Sequence, residues 1–591
     1  MKHWLRKLLS VCCALLLCGF ATAQEDEARS AWTPRTLEVA GKLIVQDGGR
    51  LKPLSTLANF TLLRISGRRS YTDKDGEKHG AVEFLLDTIY FPKQAADAPV
   101  FLINDSNVAQ ALELKLPEKK KRDRYTFHEL EVGLQKLFTL AHQYAAIDAK
   151  QRNSVQGEIV LLAERVDAFL RLNRQETIAL IPPDDQSQGE AATQWLAPAW
   201  ALARISRGEQ PSSARAQVCE ALDALATKRG EPKAFEARLD QLRSVLDSFA
   251  AVRAASAGVA LESRYYSLDP LGWGVGLYTL AFLAVALCWM RPRWNWLHRL
   301  AVALAAGGTL ALIVAIVFRC VIRGRPPVST LYETVLFVTA VGTSLALGLE
   351  WFNRQRVASS VAAFAGMVGL FIANGFETLD AQDTMPSLVA VLDTNFWLAT
   401  HVTAITIGYS AGMLAALLGS VYVLAKIVQP ARMTAEKFHS LGRMVYGVLC
   451  FGLIFSTVGT ILGGIWANES WGRFWGWDPK ENGALLIVIS QLVILHARMG
   501  GYLREFGVAI AAAAGGCVVA FSWWGVNLLG VGLHSYGFTS GIQTALTTYY
   551  AVQGTLVLAG VLTLWRERLA KRANPSAVAH DSRAPASRRA A

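Results

Sequence analysis

Four tryptophans, Trp466, Trp471, Trp475 and Trp477, fall within twelve residues, and the stretch runs on into Asp478, Pro479, Lys480 and Glu481. Indole rings offer broad, flat apolar faces. They also populate the headgroup level of a bilayer, so an interfacial belt accounts for some of them. A belt does not require a glycine-spaced cluster that ends in Asp-Pro-Lys-Glu. The ligand that suits such a cluster is itself large, flat and apolar with acidic edges, as a porphyrin is. Asp478 can cap a following helix, with Pro479 at its first position and Glu481 closing a capping box. A capped helix start is an electropositive end. With Arg473 and Lys480 beside it, it can hold the carboxylates of such a ligand.

Five histidines lie in the second half of the chain: His298, His401, His439, His496 and His534. His401 and His534 flank the tryptophan stretch in sequence. Each alone reads equally as a hydrogen-bonded structural histidine. Together, on one side of a membrane, they can clamp one haem, whose iron accepts two axial imidazoles. His496 differs. It stands sixteen residues beyond Lys480, roughly 24 Å along a helix, which puts it near the far end of the same span. A polar residue within a span is a functional candidate. His298 and His439 fall in basic stretches and read as solvated histidines.

These residues need elements to position them. The chain is 52% hydrophobic and 18% charged, and its apolar residues cluster after residue 271. Nine segments, at roughly 272–290, 300–318, 330–352, 357–375, 396–425, 444–465, 481–500, 507–529 and 543–565, approach the length of a membrane-spanning helix. The N-terminus carries Lys2, Arg6 and Lys7, an apolar run to about Ala21 and a small-residue site ending at Ala23. It reads as a signal peptide, 1–23. The Leu17-Cys18-Gly19 triplet lacks a small residue before the cysteine and does not read as a lipoprotein site. Export of the following domain sends the first span inward. Arg291, Arg293, Arg299, Arg354, Arg356, Lys426, Arg432, Lys437, Arg443, Arg498 and Arg504 then fall inside, as does the basic tail 567–591. Fewer basic residues, Arg319, Arg323, Arg325, Arg473 and Lys480, fall outside. The positive-inside bias agrees with the signal peptide. It also accounts for most of the net charge of +12 without nucleic acid.

Residues 24–264 read as an exported soluble domain, mainly helical after a small β element. Leu37 to Val45 alternates like a strand, Asp47 to Gly49 reads as a turn, and Ser55 to Ile65 as a short helix. Lys119 to Arg122 reads as a solvated basic loop. Apolar residues spaced at 4, 3, 4, 3 predict helices over Leu130–Tyr144 and Phe235–Phe249. Five cysteines beyond the leader, Cys219, Cys288, Cys320, Cys450 and Cys517, are scattered, with no haem-attachment C-x-x-C-H run. The chain is therefore not itself read as a c-type cytochrome.

The stretch Trp466 to Glu481 resembles the tryptophan-rich WWD signature of haem-handling proteins. With Leu495 to Arg498, it most resembles the CcsA/ResC family of System II cytochrome c biogenesis proteins, over roughly 272–566. Asn482 and Gly483 depart from the Thr-Trp expected there. The resemblance implies a polytopic helical bundle, 265–566, in the bacterial inner membrane, with the tryptophan loop on its outer face and lipid around it. It implies haem b held between His401 and His534, with Trp471, Trp475, Trp477 and Asp478 at the reacting site. Trp466, Arg473 and Lys480 would lie around the haem, and His496 would be an intramembrane ligand. The opposing intramembrane ligand would belong to a CcsB/ResB-like subunit, for which no segment is found in this chain. Apocytochrome c would be the acceptor, and the pair of subunits a cytochrome c synthetase. Two other readings are a non-catalytic haem chaperone of the same superfamily and a solute transporter with an exported sensor domain. The transporter reading lacks the internal repeat such folds usually show. Arg323 to Glu333 resembles a family outer-loop element, but reads first as a turn and capping box at the start of the third span.

Overall fold

The computed structural model describes residues 31–114, 119–149, 151–388, 390–428, 433–534 and 542–573. The leader, Arg432 and residues 574–591 of the tail lie outside the described residues. Among the described residues, nine helices are long and apolar enough to cross a membrane. Span one is Pro270–Met290, span two Asn295–Arg323, span three Leu331–Asn353, span four Val357–Asp380, span five Asn395–Val428, span six Ala435–Trp471, span seven Pro479–Met499, span eight Glu505–Trp523 and span nine Ile542–Ala570. Each matches an apolar segment of the sequence. The protein is a multi-pass membrane protein.

The N-terminal domain is helical with three short antiparallel pairs, Ile44–Asp47 with Arg50–Pro53, Ser70–Thr72 with Lys78–Gly80, and Phe101–Ile103 with Asp123–Tyr125. Its core runs from Trp32 to Val259 and includes fully buried Phe84, Phe101, Phe169 and Phe235. The strand expected over Leu37–Val45 is corrected. Thr33 accepts from the Thr36 N–H, Pro34 follows at the first helical position, and Pro34–Gly41 is a helix. A start signal of that kind outweighs a short alternation. Only Ile44–Asp47 is strand, and the expected turn is the tip of its hairpin. The helix expected over Leu130–Tyr144 is broken at Gly133 into Phe127–Glu131 and Leu134–Ala145, whereas Pro232–Asp247 forms as expected. Lys120, Lys121 and Arg122 are exposed, but Lys119 lies over the Tyr125 ring.

Helix Ala250–Leu268 carries the domain onto the bundle. It ends at Asp269, whose left-handed backbone (φ 43°) turns the chain into span one while its side chain caps that span through the Gly272 N–H. Within the bundle, span five packs close against spans six and eight. A Cβ at Gly419 would sit 2.6 Å from the Ala509 carbonyl oxygen of span eight, and one at Gly459 of span six 2.8 Å from the Ile405 backbone. In lipid, such small residues let helices pack when the hydrophobic effect does not drive them together.

Span six is longer than its apolar segment. The helix continues for two turns past Ile465 and stops at Gly472, left-handed at φ 69°. The tryptophan stretch is therefore half helix: Trp466 and Trp471 lie on the span, and only residues 472–478 form a turn. Span eight is shorter than expected, because Gly525–Leu529 tightens into a 3₁₀ turn. The turn at 472–478, the segments 324–330, 381–388, 390–394 and 524–534, and the hairpin of the N-terminal domain lie at one end of the bundle.

Candidate functional site

Span five begins irregularly. Leu398–Val402 is one π-turn, and His401 stands in it. The His401 Nδ1 lies 2.8 Å from the carbonyl oxygen of Gly459. A carbonyl only accepts, so the proton is on Nδ1 and the lone pair on Nε2. The ring lies flat enough on span six that a Cβ at Gly463 would come within 2.6 Å of its Cε1. Trp466, one turn further along, is 5.7 Å from His401 between ring centres. It is itself stacked nearly parallel on Trp397, at 6.3 Å and 13°. Trp397 in turn donates its indole N–H to Glu469 at 2.9 Å.

The second histidine is held by span seven. Asp478 caps that helix, accepting from the Lys480 N–H at 2.9 Å, and Glu481 completes the box by accepting from the Asp478 N–H at 3.1 Å. The other carboxylate oxygen of Asp478 accepts from the Leu533 N–H at 2.6 Å, and its first oxygen lies 3.1 Å from His534 Nδ1. Gly532 makes this approach possible. Its φ is +93°, and a Cβ there would fall 2.2 Å from Asp478 Oδ2. Burial by itself raises the Asp478 carboxyl, but the N–H groups of Lys480 and Leu533 and the His534 ring hold it below its usual value. Burial also keeps His534 below the usual histidine range, with Asp478 opposing without cancelling. An ionised carboxylate facing Nδ1 again leaves the lone pair of the neutral ring on Nε2. Trp471 meets the His534 ring edge to face at 5.0 Å. Trp466 and Trp471 both lie near the end of span six, so the two histidines stand at the same end of the bundle.

In the turn itself, Phe474 and Trp477 are exposed and Trp475 is half-buried, with Trp475 and Trp477 in edge contact at 6.2 Å. Trp477 is left-handed at φ 57°, a strained state for a residue with a side chain. Asn482 holds it there by donating to its carbonyl at 3.0 Å. Gly483 meets Ser522, whose hydroxyl donates to the Gly483 carbonyl at 2.7 Å. A bulky residue at 483 would not fit, so the two departures from the expected Thr-Trp pattern each have a local structural role.

Arg473 lies over Trp471, its guanidinium carbon 5.9 Å from the ring centre, and 3.9 Å from Glu481. Lys480 points the other way and donates to the Trp523 carbonyl at 2.8 Å. It ties the start of span seven to the end of span eight, and Arg473 is the cation beside the aromatic turn. His496 sits at the opposite end of span seven, exposed on the surface of the bundle, with Nδ1 2.8 Å from the Leu492 carbonyl. His298 is not a solvated loop residue. It lies in span two, mostly buried, with Nε2 3.6 Å from Glu350, which caps the neighbouring helix. His439 is exposed as expected, but on span six, paired with Glu505.

Sequence reasoning passed over Trp397, Gly459, Gly463, Glu469 and Gly532. Gly459 and Gly463 stand one turn apart, a close-packing signal in an apolar helix. Glu469 and Trp397 have no such signature. At the start of span three, Thr330 caps as expected through the Glu333 N–H at 3.2 Å. The Glu333 carboxylate, however, takes the Ser329 N–H at 3.0 Å together with Arg319 and Arg323.

The model of the cytochrome C assembly protein family matches residues 328–534, which contain both histidines and the tryptophan turn. CcsA of a Synechococcus strain, a cytochrome c biogenesis protein, is 32% identical over 308 residues, covering 46% of this chain and all of that protein. CcsA of Chlamydomonas reinhardtii is 34% identical over 236 residues, covering 39% of this chain and 66% of its own length. NrfI of Wolinella succinogenes is 26% identical over 519 residues, 84% of this chain and 54% of NrfI. A match of that extent takes in much of the N-terminal domain, and the chain spans about half the length of that relative. With the whole of a CcsA covered at this identity, the chain belongs to the CcsA family of cytochrome c biogenesis proteins.

Proposed function

We propose that this protein moves haem b to the outer face of the bacterial inner membrane and presents it there to apocytochrome c, together with a CcsB/ResB-like membrane subunit. One observation carries the reading furthest. His401, His534 and His496 each have Nδ1 against an oxygen acceptor, which leaves Nε2 as the coordinating atom. Two of them stand against Trp466 and Trp471 at one end of span six; the third stands exposed at the far end of span seven.

In this reading His401 and His534 are the axial ligands of the outer haem. Trp466 and Trp471 back the two imidazoles. Trp475 and Trp477 face the macrocycle, Asp478 orients His534, and Arg473 receives a propionate. Lys480 acts by holding the helix start. The domain 24–264 and the tryptophan turn lie outside, and the tail 567–591 in the cytoplasm, as the basic-residue bias supports. The apocytochrome offers two cysteine thiols to the two haem vinyl groups. Each S–H bond breaks, sulfur bonds to the inner vinyl carbon, and hydrogen ends on the outer one, so no electrons are gained or lost. The protein's part is to hold and orient. The apocytochrome histidine then replaces one axial ligand.

The test is reconstitution of the purified, haem-loaded complex with reduced apocytochrome c. Covalent, pyridine-resistant haem on the acceptor is expected. Release of haem without thioether bonds would instead make the protein a chaperone.

Two glycine variants probe the geometry. Gly463→Ala pushes against His401, and Gly532→Ala against Asp478 in a backbone state that costs roughly 1–2 kcal/mol for a side chain. Each is expected to lower haem retention ~10-fold, as loss of a ligand's supporting contact does, while the protein still inserts. Unaltered haem content in both variants would show that neither contact sets a ligand. Phe at 475 or 477 keeps apolar area but shrinks the face offered to the ligand. These variants are expected to slow cytochrome maturation with normal membrane insertion. Full maturation by the Trp475→Ala, Trp477→Ala double variant would reduce the tryptophans to a lipid belt.

A further inference from the structure

The hairpin formed by Ile44–Asp47 and Arg50–Pro53 meets the segment between spans four and five. Arg50 pairs with Glu262 of the helix leading to span one and with Asp383 of the segment between spans four and five. Lys52 lies 2.7 Å from Asp383 and 2.8 Å from Asp47. Thr56 donates to Glu262 at 2.9 Å. Apart from Asp47, which is 45% exposed, the cluster is nearly dry, with side-chain exposures of 15% for Arg50, 3% for Lys52, 12% for Asp383 and 1% for Glu262. Ser387 donates to the Gly48 carbonyl at the hairpin tip at 2.8 Å. A buried charge stripped of its partner is left uncompensated, so the grip is strong in a way that a surface pair is not.

The same segment is gripped from the other side by the bundle. Arg319 donates to the Thr384 hydroxyl at 3.0 Å and to its carbonyl at 2.6 Å, and Arg323 to the Pro386 carbonyl at 2.7 Å. Arg325 pairs with Asp393 at 2.7 Å, and Asn395 donates to the Gly324 carbonyl at 3.1 Å. Two residues later comes Trp397, and then the π-turn that holds His401. A π-turn carries one residue more than the regular helix around it. If its entry is released, the turn can relax to a regular helix. That relaxation rotates His401 by about 100°, off Gly459 and Gly463. His534 depends on Asp478 instead and not on this segment.

We infer that the N-terminal domain is a clamp on the outer haem site, with Arg50 and Lys52 acting as positioning residues that fix His401 through Asp383. This rests on the reading of His401 as an axial ligand. It gives the domain a role in setting the ligand on one face of the haem while leaving the other alone.

Asp383→Asn and Arg50→Gln, made in the full chain with its partner subunit, test it by absorption and resonance Raman spectra. Haem bound through His534 alone is expected, with retention lowered ~10-fold and six-coordination restored by added imidazole. Arg50→Lys is expected to recover much of the native spectrum. Arg35→Gln, which removes an exposed pair on the same domain, should change nothing. Should Arg50→Gln fail to accumulate, Asp383→Asn and the milder Ser387→Ala carry the comparison. Clamp variants with an unaltered six-coordinate spectrum would overturn the inference, as would simultaneous loss of both axial ligands. A wild-type complex without bis-histidine haem would overturn the site reading as well.

Discussion

Expressed alone in a host stripped of its own maturation pathway, this chain is expected to yield background levels of mature cytochrome c, and co-expression with a CcsB/ResB-like subunit to restore them. The reason lies at the end of span seven remote from the tryptophan turn. His496 is exposed on the outside of the bundle, its Nδ1 committed to the Leu492 carbonyl. An intramembrane haem needs a ligand on its second face. Two other histidines among the described residues of the bundle are engaged: His298 of span two faces Glu350 of span three, and His439 pairs with Glu505. A ligand from another subunit meets an exposed His496 without rearrangement. His496→Ala should lower the haem content of the two-subunit complex by about half, through loss of the inner site. The outer site should fill slowly. Haem quantified per complex, with maturation scored in the same cells, checks both. Robust maturation by the chain alone would refute the two-subunit account.

The second large effect concerns the outer pair. His401→Ala and His534→Ala are each expected to lower haem retention by ~100-fold, the upper end of what even a supporting residue contributes to a metal site. Maturation should fall to background. Imidazole in the medium should recover part of it, because either vacancy opens beside an intact tryptophan wall. Recovery should differ between the two. The His401 vacancy is lined by Gly463 and Trp466, whereas the His534 vacancy adjoins the ionised Asp478. Imidazole placed at the second can donate to that carboxylate as the native ring does, so rescue should be stronger for His534→Ala. Equal and complete activity in both single variants would remove the axial assignment.

Much of this site is legible in the sequence. Asp478, Pro479 and Glu481 announce a capped helix start, and the structure has the box in full. The nine spans follow from apolar length alone, because a bilayer demands it. What stayed hidden depended on contacts between distant segments. Lys480 looks like a propionate ligand by position, but the carbonyl end of span eight takes it. The grip of Arg50 on Asp383 joins residues more than three hundred apart, and no local pattern marks it. The end of span six could have been read from Gly472, a left-handed helix stop that follows Trp471 directly. The misread strand over Leu37–Val45 has the same lesson at small scale. Thr33 and Pro34 start a helix, and they carry more information than four alternating side chains.

The central claim is that two histidines from separate elements, His401 in the π-turn of span five and His534 held by Asp478, coordinate one haem at the outer end of the bundle. The most direct measurement is the low-temperature electron paramagnetic resonance and visible absorption spectrum of the oxidised complex, with His496→Ala as the parent protein to silence the second haem site. A single low-spin, bis-imidazole haem is expected, converted to a high-spin species by either His401→Ala or His534→Ala and absent from the double variant. A haem whose spectrum is unaltered by both substitutions, or a complex with His496→Ala that holds no haem at all, would contradict the account.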